Sequence, residues 1–408
     1  MAKFIKNTFI IFFILIIFIS KGFSQKSIII FKTDYSNNYM NYAIYDLIIK
    51  NIFLYSNLKI MNSYSNYSSY NKIKSQIKKL TINNNANISI AYQIQNFKNG
   101  ILINYIIFDN EKPNEWIEKS AYSKEEDLFI SINKILKDIY EISKIKNKIT
   151  YIKEKDYISL LGYYSQKIIL TNNEDNIYKL FYDFHKDNIY FNIDYLEYLT
   201  DKSDRTSVDI ISDLIKNMQN YINKKKNHYY LYSLGCMHYG KYKVNVILSD
   251  IEASIENYNK ALKLKNNYYK YYYRLANAYI LKNDYDNAIK YYEEAIKLNE
   301  YDINIIKEFV SLLKRDINKN GNEVISYLKK IIEINKNDEE ALEEISKLYE
   351  KIGDYDNALI YYNKLFEVIN YNLYIINNET KDADAYDRYI FKRNSIKLNI
   401  ESLKKKIF

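Results

Sequence analysis

The sequence predicts a chain in two parts, an N-terminal α/β domain followed by an all-α repeat solenoid. Three observations predict it. The pentapeptide Asp284-Tyr285-Asp286-Asn287-Ala288 recurs unchanged at Asp354-Tyr355-Asp356-Asn357-Ala358, and a fixed internal period marks a repeat architecture. From about residue 151 onward, apolar residues fall at helical spacing. Before residue 150, short apolar runs alternate with helical periods, the pattern of strands and helices in turn.

Composition sets the limits of that reading. The chain has 408 residues, 48% hydrophobic and 27% charged, an ordinary globular balance. Pro occurs once and Gly seven times, against 47 Tyr. Lys, Asn, Ile and Tyr share AT-rich codons, so base composition accounts for the excess of tyrosine, and turns are read from Asn and Asp. The net charge is +9. Both signs are interspersed, and Lys224–Lys226 and Lys404–Lys406 are short basic runs at helix ends. No single basic face is evident, which argues against a nucleic-acid partner. Cys236 is the single cysteine, so no internal disulfide forms.

The first 24 residues read as a signal peptide. Lys3 and Lys6 precede an apolar run from Phe9 to Ile19, and Gly22 and Ser24 are small residues placed for cleavage after Ser24. The run is shorter than the ~20 residues of a membrane span. Export to the periplasm is the expectation, with an uncleaved N-terminal anchor as the alternative. No cysteine follows the run, which argues against a lipoprotein anchor.

Residues 26–150 read as β-α-β-α-β-β-(β)-α. Ser27–Phe31 is a continuous apolar strand, and Tyr42, Tyr45, Ile48, Ile49 and Ile52 give a helix over 38–54. Leu58–Met61 is a second strand, and Ile73, Ile77 and Leu80 mark one face of a helix over 68–80. Ile88–Gln95 and Ile101–Asp109 form a hairpin, Trp116–Tyr122 adds a strand, and Glu125–Ile142 is a helix with acids in its first turn. The stretch from Gly100 to Ile142, with Asp109 at a strand end, Trp116 on the next strand and the acidic helix start at Glu125, resembles the TolB amino-terminal-like domain that precedes helical repeats in many bacterial proteins. Asp109 is expected to cap a turn, and Trp116 to fill the core.

The repeats occupy 228–376. In residues 269–302, Leu275, Ala276 and Tyr279 lie on a first helix, A, and Ala288, Tyr292 and Ala295 on a second, B; Ile345, Ser346, Tyr349, Ala358, Tyr362 and Leu365 repeat the pattern in 339–372. Small residues belong where the two helices cross, and Asp284 and Asp354 are placed to cap helix B. These stretches resemble tetratricopeptide repeats. Residues 303–338 form a degraded repeat with a two-residue insertion near Asn318–Asn322. Residues 228–268 form another, with about seven extra residues near Tyr242–Asp250 that lengthen its turn. Residues 151–227 are divergent helical repeats or a linker, with Leu160, Leu161, Gly162 and Tyr164 hinting at a further helix. Residues 377–408 end in a capping helix with a polar outer face.

No enzymatic constellation emerges, and a non-enzymatic protein is expected. Gly235-x-x-x-x-Gly240-Lys241 has the form of a phosphate loop, but Tyr242 stands where Ser or Thr holds magnesium, and the preceding segment is helical. Cys236 and His238 lack the further ligands of a metal site. No catalytic residue, metal or cofactor is assigned. The tetratricopeptide resemblance implies a groove lined by helix A at its second, fifth, sixth, ninth and twelfth positions. Here these are Lys270, Tyr273, Arg274, Asn277 and Ile280, flanked by Tyr229 and Tyr232 on one side and Lys307 on the other. Lys270, Arg274 and Asn277 resemble part of a carboxylate clamp, while Tyr232 replaces the lysine expected before them. The expectation is a mixed aromatic and basic groove for a protein or peptide, with an envelope protein docking on the α/β domain. Self-association through the repeats is the second outcome, and an enzyme with an unrecognised site in the α/β domain the third.

Overall fold

The computed structural model describes residues 26–144 except 32–38, 57, 62–69, 84–85, 98–99, 113–115 and 125. It also describes scattered positions between 152 and 185, and residues 188–407 except 219–226 and 381. The leader with Gly22 and Ser24, Glu125, the run Leu161-Gly162 with Tyr164, and Lys224–Lys226 lie outside the described residues. The chain divides into two compact units, residues 1–271 and 272–408.

The first unit opens with a five-stranded sheet. Its elements are β1 (Ser27–Phe31), α1 (Tyr39–Tyr55), β2 (Lys59–Met61), α2 (Tyr70–Asn83), β3 (Ile88–Phe97), β4 (Gly100–Asp109), β5 (Trp116–Ser123) and α3 (Leu128–Ser143). The strand order is β2-β1-β3-β4-β5. β1 is parallel to both neighbours, and β3, β4 and β5 run antiparallel. β1 is buried along its whole length, which is why it reads as an unbroken apolar run. Alternation sorts the two faces of β4. Ile106 and Phe108 join Ile29, Phe31 and Ala91 under Tyr70, Ile73 and Ile77 of α2. Tyr105 points the other way and donates to Asp138 of α3 at 2.6 Å. Lys119 of β5 pairs with the same carboxylate at 2.7 Å, so this buried charge is compensated. Asp109 caps its turn, its Oδ1 accepting from the Glu111 N–H at 2.9 Å. Trp116 does not fill the core. It begins β5, which pairs on one side only, and 55% of it is exposed.

Helices α4 (Ile189–Lys202), α5 (Arg205–Met218), α6 (His228–Asn245) and α7 (Leu248–Leu264) complete the unit, together with the start of α8 (Tyr269–Leu281). Asn188 and Asn227 cap α4 and α6, each side chain accepting from two backbone N–H groups. A Cβ on Gly235 would run into the Tyr258 ring, and one on Gly240 would lie 2.9 Å from Val208. Both glycines are therefore helix-crossing residues, and the phosphate-loop pattern sits inside helix α6. The extra residues of this repeat do not lengthen its turn. They extend the helices instead, to 18 residues in α6 and 17 in α7, with Val246 and Ile247 between them.

The second unit holds the rest of α8, then α9 (Tyr285–Leu298), α10 (Ile303–Leu313), a 3-10 turn (Lys314–Asp316), α11 (Ile317–Ile334), α12 (Glu339–Lys351), α13 (Tyr355–Ile375) and α14 (Ala383–Ile407). The recurrent pentapeptide has a local cause. Asp284 accepts from the backbone N–H of Asn287 at 3.2 Å and from its side-chain amide at 2.8 Å; Asp354 does the same with Asn357, at 3.2 and 2.7 Å. Before each cap stands a left-handed residue, Asn283 (φ 61°) or Gly353 (φ 81°), the conformation that ends a helix tightly. Ala288 and Ala358 are fully buried at the helix crossings. α14 packs on α13 through Ile396, Ile400 and Leu403. Its outer face is not wholly polar, since Phe391 and Leu398 are 78% and 65% exposed.

Candidate functional site

In the first unit the predicted groove residues are covered. Tyr229 and Tyr232 are buried, a correction to the open groove that the register implies. Tyr232 packs among Tyr229, Tyr258 and Tyr271, at 4.6–6.2 Å between ring centroids, and Tyr229 is covered by the end of α1. Phe53 lies tilted against Tyr268 (4.3 Å between ring centroids) and meets His228, Tyr229 and Tyr271 edge-on at 5.1–6.2 Å. Lys265, 4% exposed, donates to the carbonyls of Phe53 and Ser56, both at 2.8 Å. It thus satisfies orphan acceptors at the helix end, where a cation also meets the helix dipole. Burial pushes its ammonium down to about 7. His228 is pushed down to about 3, by burial first and by Lys265 second. Its Nδ1 lies 2.6 Å from the Tyr271 hydroxyl. Lys50, also of α1, pairs with Asp46 at 2.6 Å and Asp194 of α4 at 2.8 Å. Lys270 already has a carboxylate: Glu197 of α4 lies 3.6 Å from it and accepts from the Tyr232 hydroxyl at 2.6 Å.

In the second unit Arg274 is buried, 3% exposed, with its guanidinium 5.3 Å from the Tyr273 ring centroid. Tyr273 is half-buried and donates to Glu308 at 2.9 Å. Burial and the Glu308 charge raise its hydroxyl well above the usual tyrosine value. Tyr292 links Glu308 (3.0 Å) to Asn277 (2.5 Å). Ile280 is partly exposed. Lys307 bonds Glu340 at 2.8 Å and Asp338 at 3.1 Å. Partial burial lowers its ammonium, but those two bonds outweigh the burial and the net shift is upward.

Beyond Lys307 the surface opens. A cleft of about 450 Å³ is lined by Lys314, Val324, Leu328, Glu344, Lys347, Leu348 and Lys351. A smaller one of about 100 Å³ adjoins it beside Lys307, Ser311 and Ile331, with Lys314, Leu328 and Glu344 common to both. The floor is aliphatic, and the rim carries three lysines and one glutamate. Lys314 reaches Glu344 at 2.5 Å and Lys347 reaches Glu343 at 2.5 Å. Lys351 is exposed and has no ion-pair partner among the described residues. The groove spacing assigned to residues 269–302, applied to 339–372, falls on Glu340, Glu343, Glu344, Lys347 and Glu350, of which Glu340, Glu344 and Lys347 line the two clefts. That extension was the sequence signal for the cleft. Leu348 and Lys351 stand off this spacing and carried none, and neither did Phe53 or Lys265.

Cys236 is buried and accepts from the Tyr258 hydroxyl at 3.5 Å, while His238 pairs with Asp250 at 3.2 Å. Among the described residues no group of three or more His, Cys, Asp or Glu is placed to hold a metal ion.

Residues 269–302 and 339–372 each match the tetratricopeptide repeat family. No curated protein matches the chain. Among solved structures, MamA is similar at 22% identity over 40% of this chain and 91% of that one, with a TM-score of 0.32. YrrB, described as a tetratricopeptide repeat protein with an unusual peptide-binding site, is similar at 16% identity over 46% of this chain and 89% of that one, with a TM-score of 0.29. On the two family matches and the succession of helices around them, the chain carries two tetratricopeptide repeats within an all-helical C-terminal region.

Proposed function

We propose that this chain is an exported, non-enzymatic scaffold of the bacterial cell envelope that binds a protein or peptide along helix A of its C-terminal repeats. The observation that carries the reading is the cleft beside α10, α11 and α12. Three lysines and one glutamate surround an aliphatic floor. That combination suits a peptide with a bulky aliphatic side chain and acidic neighbours, because a carboxylate gains charge-assisted hydrogen bonds from the rim while the side chain fills the floor. Tyr273, Asn277, Ile280 and Lys307 extend the same helix-A surface within the second unit. The sheet region is read as TolB amino-terminal-like and as a dock for an envelope protein, supported by its element order. Export rests on the leader, and N-terminal sequencing of the native protein tests it: Gln25 as first residue is expected, and Met1 or Ala2 would refute cleavage.

Selection from a displayed-peptide library on the full chain tests the groove. Acidic, aliphatic peptides are expected, with binding at least tenfold weaker to Lys347→Glu/Lys351→Glu and to Leu348→Asp. Undiminished binding to variants that circular dichroism shows to be folded would remove the cleft from the proposal. A second reading, self-association, is favoured by the exposed Phe391 and Leu398 on α14. Light scattering distinguishes it, since Phe391→Asp would then convert an oligomer to a monomer.

A further inference from the structure

The tip of the α6–α7 hairpin is an apolar finger. Val244, Val246, Ile247 and Leu248 are 36%, 70%, 51% and 58% exposed. The finger is built, not frayed. α6 has 18 residues and α8 has 13, so α6 is longer by about 7 Å at ~1.5 Å per residue. Val246 holds φ 57°, a left-handed conformation that a β-branched residue adopts against its steric preference. Its N–H donates to Tyr242 O at 2.7 Å, and the Asp250 N–H donates to Ile247 O at 2.9 Å, so part of the turn's backbone is satisfied internally. Ile247 occupies the N-cap position of α7 and makes no side-chain cap hydrogen bond, whereas Asp284, Asp302, Asp338 and Asp354 cap later helices with their carboxylates. An apolar residue stands where a polar one would stabilise the helix.

We propose that this finger inserts into the surface of a lipid bilayer. Three features favour lipid over a protein partner. The exposed residues are aliphatic, while protein hot spots favour Trp, Tyr and Arg and are poor in Leu and Val. Behind the tip stand Lys241, Lys243 and Tyr242, and Lys243 lies 5.9 Å from the Tyr239 ring; lysine stems and tyrosine rings suit the boundary between acyl chains and headgroups. The uncapped N–H groups of α7 face the level of lipid phosphates, anions that helix N-termini attract. The acids nearby are Asp250, which pairs with His238, and Glu252, two residues further from the tip.

Co-sedimentation of the full chain with vesicles of phosphatidylethanolamine and phosphatidylglycerol tests the proposal. Val246→Asp/Ile247→Asp changes exposed positions only and keeps the same N-terminus, so the difference from wild type reports the finger. At least a tenfold loss of vesicle partitioning is expected. A Leu248→Cys chain labelled with an environment-sensitive dye is expected to shift its emission to the blue on adding vesicles. Equal sedimentation of wild type and variant, or a dye that stays in water, overturns the proposal. So does a wild type that ignores vesicles and forms oligomers that the variant loses, which would make the finger's occupant a second copy.

Discussion

Helices α6 and α7 of the first unit and α10 to α12 of the second follow the same rules and differ in what covers them. In α6 and α7, tyrosines at groove positions are sealed by the chain itself: Phe53 fills an aromatic box and Lys265 grips the end of α1. In α10 to α12, the corresponding helix surface lies open around an aliphatic floor. A repeat register therefore states which side chains share a face, and not whether that face meets solvent. A groove position becomes a binding position only where no other segment of the chain reaches it first.

The largest expected effect breaks the sealed end. Phe53→Ala removes a buried ring from the aromatic box and is expected to destabilise the first unit by about 3–5 kcal/mol, read by chemical denaturation. An unchanged midpoint would mean the box contributes no packing.

The pH dependence sharpens the same contact. Folded Lys265 loses its proton near 7, and the unfolded lysine near 10.5. Between those values the unfolded state binds more protons, so stability rises with pH. His228 acts in the same direction between about 3 and 6.5. A gain of roughly 2–4 kcal/mol between pH 7 and 9.5 is expected from Lys265, and Lys265→Met is expected to flatten it. Two donated bonds need only two hydrogens, so the neutral amine keeps both.

At the open end the effects are smaller. Ala288→Leu and Ala358→Leu crowd fully buried helix crossings and are expected to cost about 1–3 kcal/mol each, measured by thermal melts of the full chain. Asp354→Ala loses both bonds to Asn357 and is expected to cost about 1 kcal/mol. Glu344→Gln, which removes an exposed partner of Lys314, is expected to change stability by less than about 1 kcal/mol.

The fold was largely legible because its signals are local. The caps at Asp284 and Asp354, the small residues at 288 and 358 and the alternation along β4 are each dictated within a few residues. The site was legible only in part. Lys307 lines the smaller cleft, whereas Tyr229, Tyr232 and Arg274 are buried. Tyr229 is sealed by Phe53, which Lys265 holds from 212 positions away, and no periodicity predicts that contact. Trp116 misleads for a related reason: an alternating pattern gives a strand two faces, and only the sheet order shows that β5 has one neighbour. The extra residues near Tyr242–Asp250 suggest a longer turn, whereas they lengthen α6 and α7 and leave Val246 and Ile247 between them.

Lysine labelling under native conditions tests the contrast between sealed and open faces most directly. Acetylation of the folded chain with a small amine-reactive ester, followed residue by residue by mass spectrometry, compares Lys265 with Lys347 and Lys351. A depressed amine that solvent could reach would react fastest of all, so protection of Lys265 cannot come from its basicity. Lys347 and Lys351 are expected to label early, and Lys265 to stay unmodified until the chain unfolds. Labelling of Lys265 at or above the rate of Lys351 in the folded protein would contradict it.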